Sequence, residues 1–189
     1  MVKEGLKVVF LDRDGVINEY PGDMRYVTSW QEFKFISGSI EAVRNFKAHN
    51  FRVFVVSNQA GVSKGVYSKE ALDEITLRML ETFRRQGADI DGVYYCTHRE
   101  EENCDCRKPK IGLLKLALSR FEVMPRSCFF IGDSMRDIKA AHNFGCKSIL
   151  VLSGQERIEN RRNWEISPDY IFDDLFSSSL FLCSYYRQN

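Results

Sequence analysis

Several classes of protein are excluded by what the sequence lacks. No apolar run approaches the roughly 18 consecutive residues that a membrane-spanning helix needs, so a membrane protein is not expected. Neither sign of charge is in excess, because 27 lysines and arginines stand against 26 aspartates and glutamates, for a net charge of +1. A nucleic-acid surface would need a clear basic excess, so no nucleic-acid partner is expected either.

The sequence also lacks a targeting segment, an internal repeat and a linker. Lys3, Glu4 and Lys7 interrupt the first apolar run, which is not the pattern of a signal peptide, and a cytoplasmic protein is expected. In that reducing compartment the six cysteines are expected to be thiols or metal ligands rather than disulfides. Residues 1–189 are expected to form one domain and a monomer.

Short apolar runs alternate with helical patterns along the chain. Six runs have the length and composition of buried strands. They are Val8–Leu11, Arg52–Val56, Gly92–Cys96, Cys128–Ile131, Ser148–Leu152 and Tyr170–Phe172. Between them apolar residues recur at helical spacing, and Ser68 is expected to be an N-cap. The third helix is expected to have Pro109 near its start and to extend to Phe121, and the fourth is expected to end at Gly145. This alternation predicts an α/β, Rossmann-like fold with a mostly parallel sheet and helices on both faces.

The first strand stops abruptly on two carboxylates one residue apart, Asp12 and Asp14. A buried strand does not require acids at its end, and the repulsion between two such acids has to be offset by positive charge. A Mg²⁺ ion would offset it, and so would a phosphate-processing site in which one acid attacks and the other moves protons. The alternative is a surface strand end followed by an Asp-Gly turn.

Two further strand ends carry polar groups that suit a phosphorylated ligand. Ser57 and Asn58 follow the second strand, and Asp133 follows the fourth. Ligands of parallel α/β sheets bind at the carboxyl ends of the strands, so these residues are expected to meet Asp12 and Asp14 there. Hydroxyl and amide groups suit phosphate oxygens, and Asp133 suits a metal shared with Asp12. Each feature alone fits a helix cap or a turn, whereas their coincidence at three strand ends predicts a functional site.

A group of cysteine and histidine residues predicts a zinc site. Cys96 and His98 are separated by one residue at the end of a strand, where alternate side chains face the same way, and Cys104 and Cys106 repeat that spacing. Three thiolates and one imidazole make a closed tetrahedral zinc site with no open position for catalysis. A redox pair or inert thiols are the alternatives.

Arg107 and Lys108 directly follow the cysteine loop, which would fix the backbone that carries them. A lysine point charge and a forked guanidinium are what a transferring phosphoryl group and a second anion need. A solvated basic pair in front of a helix is the alternative reading of the same two residues.

Taken together, these motifs resemble those of the haloacid-dehalogenase-like phosphatases. The resemblance covers about Val8 to Gly154 and is carried by Asp12-x-Asp14, Ser57, Lys108 and Gly132-Asp133. Within that superfamily, Phe10–Asn18, Ser57–Val62 and Cys106–Pro109 look like segments of the D-glycero-D-manno-heptose 1,7-bisphosphate phosphatases, and the related histidinol phosphatases share the zinc loop. Gly65–Tyr67 is more similar to the heptose enzymes. Such enzymes are small and have no large cap domain.

The resemblance implies a role for each site residue. Asp12 attacks phosphorus and forms an aspartyl-phosphate, while Asp14 protonates the leaving sugar oxygen and then activates water. Mg²⁺ is held by a carboxylate of Asp12, the main-chain carbonyl of Asp14 and Asp133, and Zn²⁺ is structural. Phosphoryl oxygens are held by Ser57 and Lys108, and the substrate is faced by Tyr26, Asn58, Gln59 and Arg107. The implied reaction is hydrolysis of the 7-phosphate of the bisphosphate, a small phosphorylated sugar.

Two departures from the family pattern concern the substrate. Glu19–Val27 is about three residues longer than the usual substrate loop, and Ser134 stands where heptose enzymes often have lysine. Histidinol phosphate or another small sugar phosphate is therefore an alternative substrate. A polynucleotide 3′-phosphatase would show a basic groove, and a zinc-stabilised interaction module would not explain acids at two strand ends.

Overall fold

The computed structural model describes residues 6–188 and is built around one sheet of six parallel strands. Lys3 and Glu4, which argue against a signal peptide, and Asn189 lie outside the described residues. The strands are β1 (Lys7–Leu11), β2 (Phe51–Asn58), β3 (Gly92–Cys96), β4 (Cys128–Gly132), β5 (Lys147–Val151) and β6 (Tyr170–Phe172). Their order is β3-β2-β1-β4-β5-β6, so the sheet predicted as mostly parallel is parallel throughout.

The central strand β1 is apolar on both faces because both faces are covered. Val8, Val9, Phe10 and Leu11 are all fully buried, between β2 on one side and β4 on the other. Val9 and Leu11 point into one hydrophobic core and Val8 and Phe10 into the other, as the two-residue period of a strand requires. A continuous apolar run without polar alternation is typical of such a strand.

Five α-helices within residues 6–188 cover the sheet. They are α1 (Ser39–Ala48), α2 (Lys69–Arg85), α3 (Gly112–Ala117), α4 (Met135–Phe144) and α5 (Leu175–Gln188). Helices α1, α2 and α5 pack on the face of the sheet to which Val9 points, whereas α3 and α4 pack on the face to which Val8 points. The predicted two-sided α/β architecture is confirmed, and no large cap domain interrupts the described elements. No helix in this part of the chain is both long and apolar enough to cross a membrane.

The helix ends follow the sequence signals at two of three predicted positions. The Ser68 hydroxyl caps α2 by accepting a backbone N–H at 3.2 Å, and Gly145 ends α4 with a left-handed φ of 83°. The third helix is wrong in its extent, because α3 begins at Gly112 and excludes Phe121. Proline disfavours a helical conformation in the residue before it, and a turn spans Pro109 before the helix begins.

Strand β2 extends two residues beyond its predicted end. Ser57 and Asn58 pair with Tyr95 and Cys96 of β3 and therefore belong to the strand rather than to the loop after it. Both polar side chains are consequently carried on backbone that is hydrogen-bonded into the sheet.

Candidate active site

The candidate active site lies at the carboxyl end of β1. Strand order reverses at β1, and its neighbours are β2 and β4. Asp12 follows β1, Ser57 stands near the end of β2, and Asp133 follows β4. The structure therefore brings the three strand ends together, at the switch point where parallel α/β sheets bind ligands.

Lys108 provides positive charge at the centre of this site. Its Nζ lies 2.9 Å from Asp12 Oδ2 and 2.6 Å from Asp137 Oδ1, and it donates to the carbonyl of Val56 at 3.0 Å. The Lys108 side chain is only 2% exposed, and a buried ammonium is tolerated only with such partners. Asn58 fixes the backbone of Lys108 by donating to its carbonyl (3.1 Å) and accepting from its N–H (3.0 Å).

Three acids surround this one lysine. Carboxylate oxygens of Asp12, Asp133 and Asp137 lie within 4.8 Å of one another. Burial raises the pKa of Asp12 to about 6, against the lowering effect of Lys108, and burial and the charges of Asp137 and Asp12 raise the pKa of Asp133 well above its usual value. One ammonium does not balance three carboxylates, whereas an added divalent cation would. The oxygen donors and their excess negative charge therefore fit Mg²⁺.

Close backbone packing holds Asp133 in place. Its Oδ2 accepts the backbone N–H of Gln155 at 2.7 Å. A Cβ atom at Gly15 or at Gly154 would overlap the Asp133 carboxylate, and Gly15 also has a left-handed φ of 80°. The glycine after Asp14 thus makes a turn and, in addition, leaves room for the acid of β4.

The Asp14 carboxylate is held by three side chains. Nη2 of Arg13 donates to both of its oxygens at 2.9 and 3.0 Å, and Nε donates to Oδ1 at 3.2 Å. Asn18 donates to Oδ1 and Gln59 to Oδ2, each at 2.8 Å, while the Tyr67 hydroxyl donates to the Gln59 carbonyl at 2.6 Å. The Asp14 side chain remains 20% exposed and faces the cavity described below.

Gln59 lies beneath the cavity rather than in its wall. Its side chain is buried, and its amide nitrogen is also 3.2 Å from the Ser57 hydroxyl. The family resemblance implies that Gln59 faces the substrate. In the structure, its side chain contacts Asp14 and Ser57 instead. Because Tyr67 fixes the amide orientation, Gln59 presents its N–H groups to both site residues.

A cavity of about 310 Å³ opens above these residues. Five predicted substrate or phosphate contacts line it, namely Tyr26, Ser57, Asn58, Arg107 and Lys108. The wall also includes Tyr20, Pro21, Gly22, Met24 and Arg25 of the expected substrate loop, Glu19–Val27, and four residues that the sequence analysis does not identify, namely Lys64, Glu100, Arg136 and Gln155. These last four come from separate segments with no shared spacing, so no local sequence signal assigns them to one wall.

Asp137 belongs to the site although the sequence analysis does not assign it. It is fully buried, and its Oδ2 accepts from the backbone N–H (3.1 Å) and hydroxyl (2.6 Å) of Ser134, which caps α4. Its Oδ1 faces Lys108. The available signal was the position of Asp137 four residues after Asp133, in the first turn of the helix that follows β4.

The predicted zinc ligands converge on one point. The Sγ atom of Cys106 lies 3.2 Å from that of Cys96 and 3.4 Å from that of Cys104, and the Cys96 and Cys104 sulfurs are 3.5 Å apart. Nδ1 of His98 is 3.2 Å from the Cys106 sulfur. Burial raises the pKa of Cys96 and of Cys106, so three thiolates at such distances need a cation between them. Three sulfurs and one nitrogen at the corners of a small tetrahedron fit Zn²⁺.

The cysteine and histidine loop is joined to the active site at both ends. Cys96 is the last residue of β3 and pairs with Asn58. Arg107 donates to the carbonyl of His98 at 3.3 Å, and the next residue is Lys108. A metal in this loop would therefore hold the backbone from which Lys108 enters the site.

We expect Cys104→Ser to lower both stability and activity. Losing one of four ligands opens the site, and the chain should lose about 3 kcal/mol of unfolding free energy, since metal binding to a structural site is coupled to folding. Activity should fall as well because Lys108 loses its support. Metal analysis, thermal unfolding and phosphatase assays measure the three effects, and about one zinc per unmutated chain is expected.

The matched control is Cys183→Ser, which changes a buried cysteine outside the zinc loop. That variant should keep its zinc and its activity. Zinc-free protein with unchanged stability and activity would contradict a structural metal.

The fold and the site define a phosphatase of the haloacid-dehalogenase-like class, and known proteins agree. Residues 105–177 match a protein-family model described as HAD-hydrolase-like. The chain is 37% identical over 176 residues to the D-glycero-beta-D-manno-heptose-1,7-bisphosphate 7-phosphatase of Pasteurella multocida (strain Pm70), covering 89% of this chain and 92% of the relative. It is 36% identical over 151 residues to the D-glycero-alpha-D-manno-heptose-1,7-bisphosphate 7-phosphatase of Campylobacter jejuni, covering 80% and 85%.

A solved structure supports the same relationship. The D,D-heptose 1,7-bisphosphate phosphatase from B. bronchiseptica, complexed with magnesium and phosphate, matches with a TM-score of 0.89 and 28% identity over 95% of this chain and 99% of that chain. The chain belongs to the family of the D-glycero-D-manno-heptose-1,7-bisphosphate 7-phosphatases.

Proposed function

We propose that the chain removes the 7-phosphate of D-glycero-D-manno-heptose 1,7-bisphosphate through an aspartyl-phosphate on Asp12. The observation that carries this proposal is the convergence of Asp12, Lys108 and Asp133 beneath a cavity whose wall bears unpaired arginines. Among the described residues, Arg25, Arg107 and Arg136 line the cavity, and none of the three is in an ion pair with an acid. Cationic groups remote from the reacting phosphate suit a substrate with a second phosphate.

In the first step, a carboxylate oxygen of Asp12 forms a bond to phosphorus while the bond from phosphorus to the sugar oxygen breaks. Asp12 Oδ1 accepts the backbone N–H of Arg13 at 2.7 Å and Oδ2 faces Lys108, so both oxygens have fixed directions. The sugar alkoxide is a poor leaving group, and Asp14 supplies the proton that it needs.

In the second step, Asp14 takes a proton from a water molecule that attacks the phosphorus of the aspartyl-phosphate, and Asp12 is released unchanged. Lys108 and Ser57 hold the phosphoryl oxygens through both steps, since both line the cavity beside Asp12. Asp12, Asp133 and the carbonyl of Asp14 would hold Mg²⁺, which when bound neutralises charge on the phosphoryl group.

The second phosphate is assigned to Arg107. This side chain lines the cavity and donates to the carbonyl of His98 in the cysteine and histidine loop, whereas Lys108 contacts Asp12, so a phosphate bound at Arg107 would lie apart from the reacting phosphorus. The forked guanidinium suits bidentate binding of phosphate. Binding energy from such a remote group serves to position the scissile phosphate.

We expect Arg107→Ala to lower kcat/KM for the bisphosphate by about 10- to 100-fold, the equivalent of one charge-assisted hydrogen-bond pair. Small phosphate esters without a second phosphate should be hydrolysed nearly as fast as by the unmutated enzyme. Steady-state assays with the bisphosphate, the 7-monophosphate and histidinol phosphate measure this preference. Phosphorus NMR of the product identifies which phosphate leaves.

Arg126→Ala is the matched control, because Arg126 is exposed and lies just before the amino end of β4, whereas the candidate active site lies at the carboxyl ends of the strands. It should change none of these rates. Equal kcat/KM for the bisphosphate and the 7-monophosphate in the unmutated enzyme would contradict the assignment of the second phosphate. Faster hydrolysis of histidinol phosphate would identify that ester as the substrate.

We further propose that the enzyme acts in the cytoplasm, as a monomer, without a nucleic-acid or membrane partner. None of the described cysteines is in a disulfide, and three of them with His98 could hold a metal ion, a state that a reducing compartment would maintain. Light scattering of the purified chain measures the oligomeric state.

A further inference from the structure

Arg13 stands between the two acids of the active site and yet points into the core. Its side chain is fully buried, although arginine is almost never buried unless it is paired. The guanidinium carbon lies 6.0 Å from the centre of the Phe33 ring and 5.8 Å from that of Tyr95, so aromatic side chains surround the charge. Nothing in the reaction proposed above uses this residue directly.

The hydrogen bonds that the Arg13 guanidinium donates at 2.9 to 3.2 Å go to one group, the Asp14 carboxylate. Nη2 reaches both carboxylate oxygens and Nε reaches Oδ1, at 2.9 to 3.2 Å. This arrangement needs the planar fork of arginine, because an ammonium group cannot make it. Asn18 and Gln59 add one bond each from other directions.

Stability alone does not account for a buried charge at this position. Replacing buried ion pairs with apolar side chains of similar volume is often neutral or stabilising, and Arg13 already lies among aromatic rings. The partner of Arg13 is also not a buried structural acid, since Asp14 is 20% exposed and faces the cavity. The ion pair therefore joins the core to a group that can touch substrate.

We propose that Arg13 is a positioning residue, which holds the Asp14 carboxylate in the orientation from which it protonates the leaving oxygen. This inference rests on the proposed function, in which Asp14 is the acid. Oδ1 accepts three N–H bonds and Oδ2 accepts two, so Oδ2 is the less heavily bonded oxygen, and the proton that it carries takes the place of one of its two donors. When the bond from Asp12 to phosphorus forms, the electron pair of the breaking P–O bond goes to the leaving oxygen, which takes that proton.

Such a role has a consequence that a purely structural role lacks. An alkyl leaving group needs the proton, whereas a nitrophenolate leaves readily without it. The parameter kcat/KM includes only the steps up to the first irreversible one, which is phosphorylation of Asp12 when the leaving group departs. Loss of Arg13 should therefore lower kcat/KM for alkyl phosphates far more than for p-nitrophenyl phosphate.

The experiment compares Arg13→Lys and Arg13→Met with the unmutated chain, using the heptose bisphosphate and p-nitrophenyl phosphate. We expect kcat/KM for the bisphosphate to fall at least about tenfold more than that for the aryl ester, since acid catalysis is worth 10²–10⁴-fold. Arg13→Lys keeps the charge without the fork and should show the same selectivity. Equal losses on both substrates would overturn the proposal.

A double variant covers the case in which Arg13→Met alone does not fold. Arg13→Met combined with Asp14→Asn removes both charges and is compared with Asp14→Asn. If Arg13 acts through Asp14, the added substitution should leave the bisphosphate rate of Asp14→Asn unchanged within about twofold. A further tenfold loss would overturn the proposal. The proposed function fails separately, if the unmutated chain with Mg²⁺ hydrolyses neither ester.

Discussion

Asp12→Asn should abolish turnover while the chain stays folded. The substitution removes the oxygen that attacks phosphorus, and loss of a nucleophile that acts as part of a unit costs about four or more orders of magnitude in rate. Folding should persist because Lys108 keeps its bonds to Asp137 and to the carbonyl of Val56. The measurement is kcat with the bisphosphate and with p-nitrophenyl phosphate, at saturating Mg²⁺.

Removing Asp12 also relieves repulsion among the three crowded acids, so the melting temperature in magnesium-free buffer should not fall by more than a few degrees. Asp73→Asn is the matched control, because it makes the same chemical change on the exposed surface of α2. That variant should retain full activity. Substantial turnover by Asp12→Asn would show that another group attacks phosphorus.

The features that the sequence predicted correctly are those with local signals. The run from Val8 to Leu11 has no polar residue, so it predicts a strand buried on both faces, and the structure buries all of it. The zinc ligands share an i, i+2 spacing that depends only on local backbone geometry. Parallel strands also force their carboxyl ends to one edge, which is why Asp12 and Asp133 could be expected to meet.

The features that the sequence did not predict depend on partners far away in the chain. Gln59 was assigned to substrate, but its orientation is decided by Asp14, 45 residues away. Lys108 donates to the carbonyl of Val56, 52 residues away, which no spacing rule encodes. Arg13, between two acids, has the composition of a solvated segment, and only the surrounding aromatic rings show that it is buried.

Asp14→Asn should slow the two half-reactions to different extents on different substrates. With the heptose bisphosphate, kcat/KM should fall by about 10²–10⁴-fold, because the sugar oxygen leaves without a proton. With p-nitrophenyl phosphate, the first step needs no proton, but the second step still lacks its base. We therefore expect a rapid burst of nitrophenol, close to one equivalent of enzyme, followed by slow turnover, which stopped-flow absorbance measures.

The burst tests Asp14 separately from Asp12, since Asp12→Asn has no residue to phosphorylate and should give no burst. The Asp14→Asn variant keeps the main-chain carbonyl that would bind Mg²⁺. A slower reaction of this variant would therefore reflect the lost carboxylate rather than a lost magnesium ligand. Buried Arg13 loses its charged partner in this variant, so the assays belong at a temperature where circular dichroism shows the chain folded. Equal losses on the alkyl and aryl esters without a burst would assign proton transfer to a group other than Asp14, and would also remove the basis for a positioning role of Arg13.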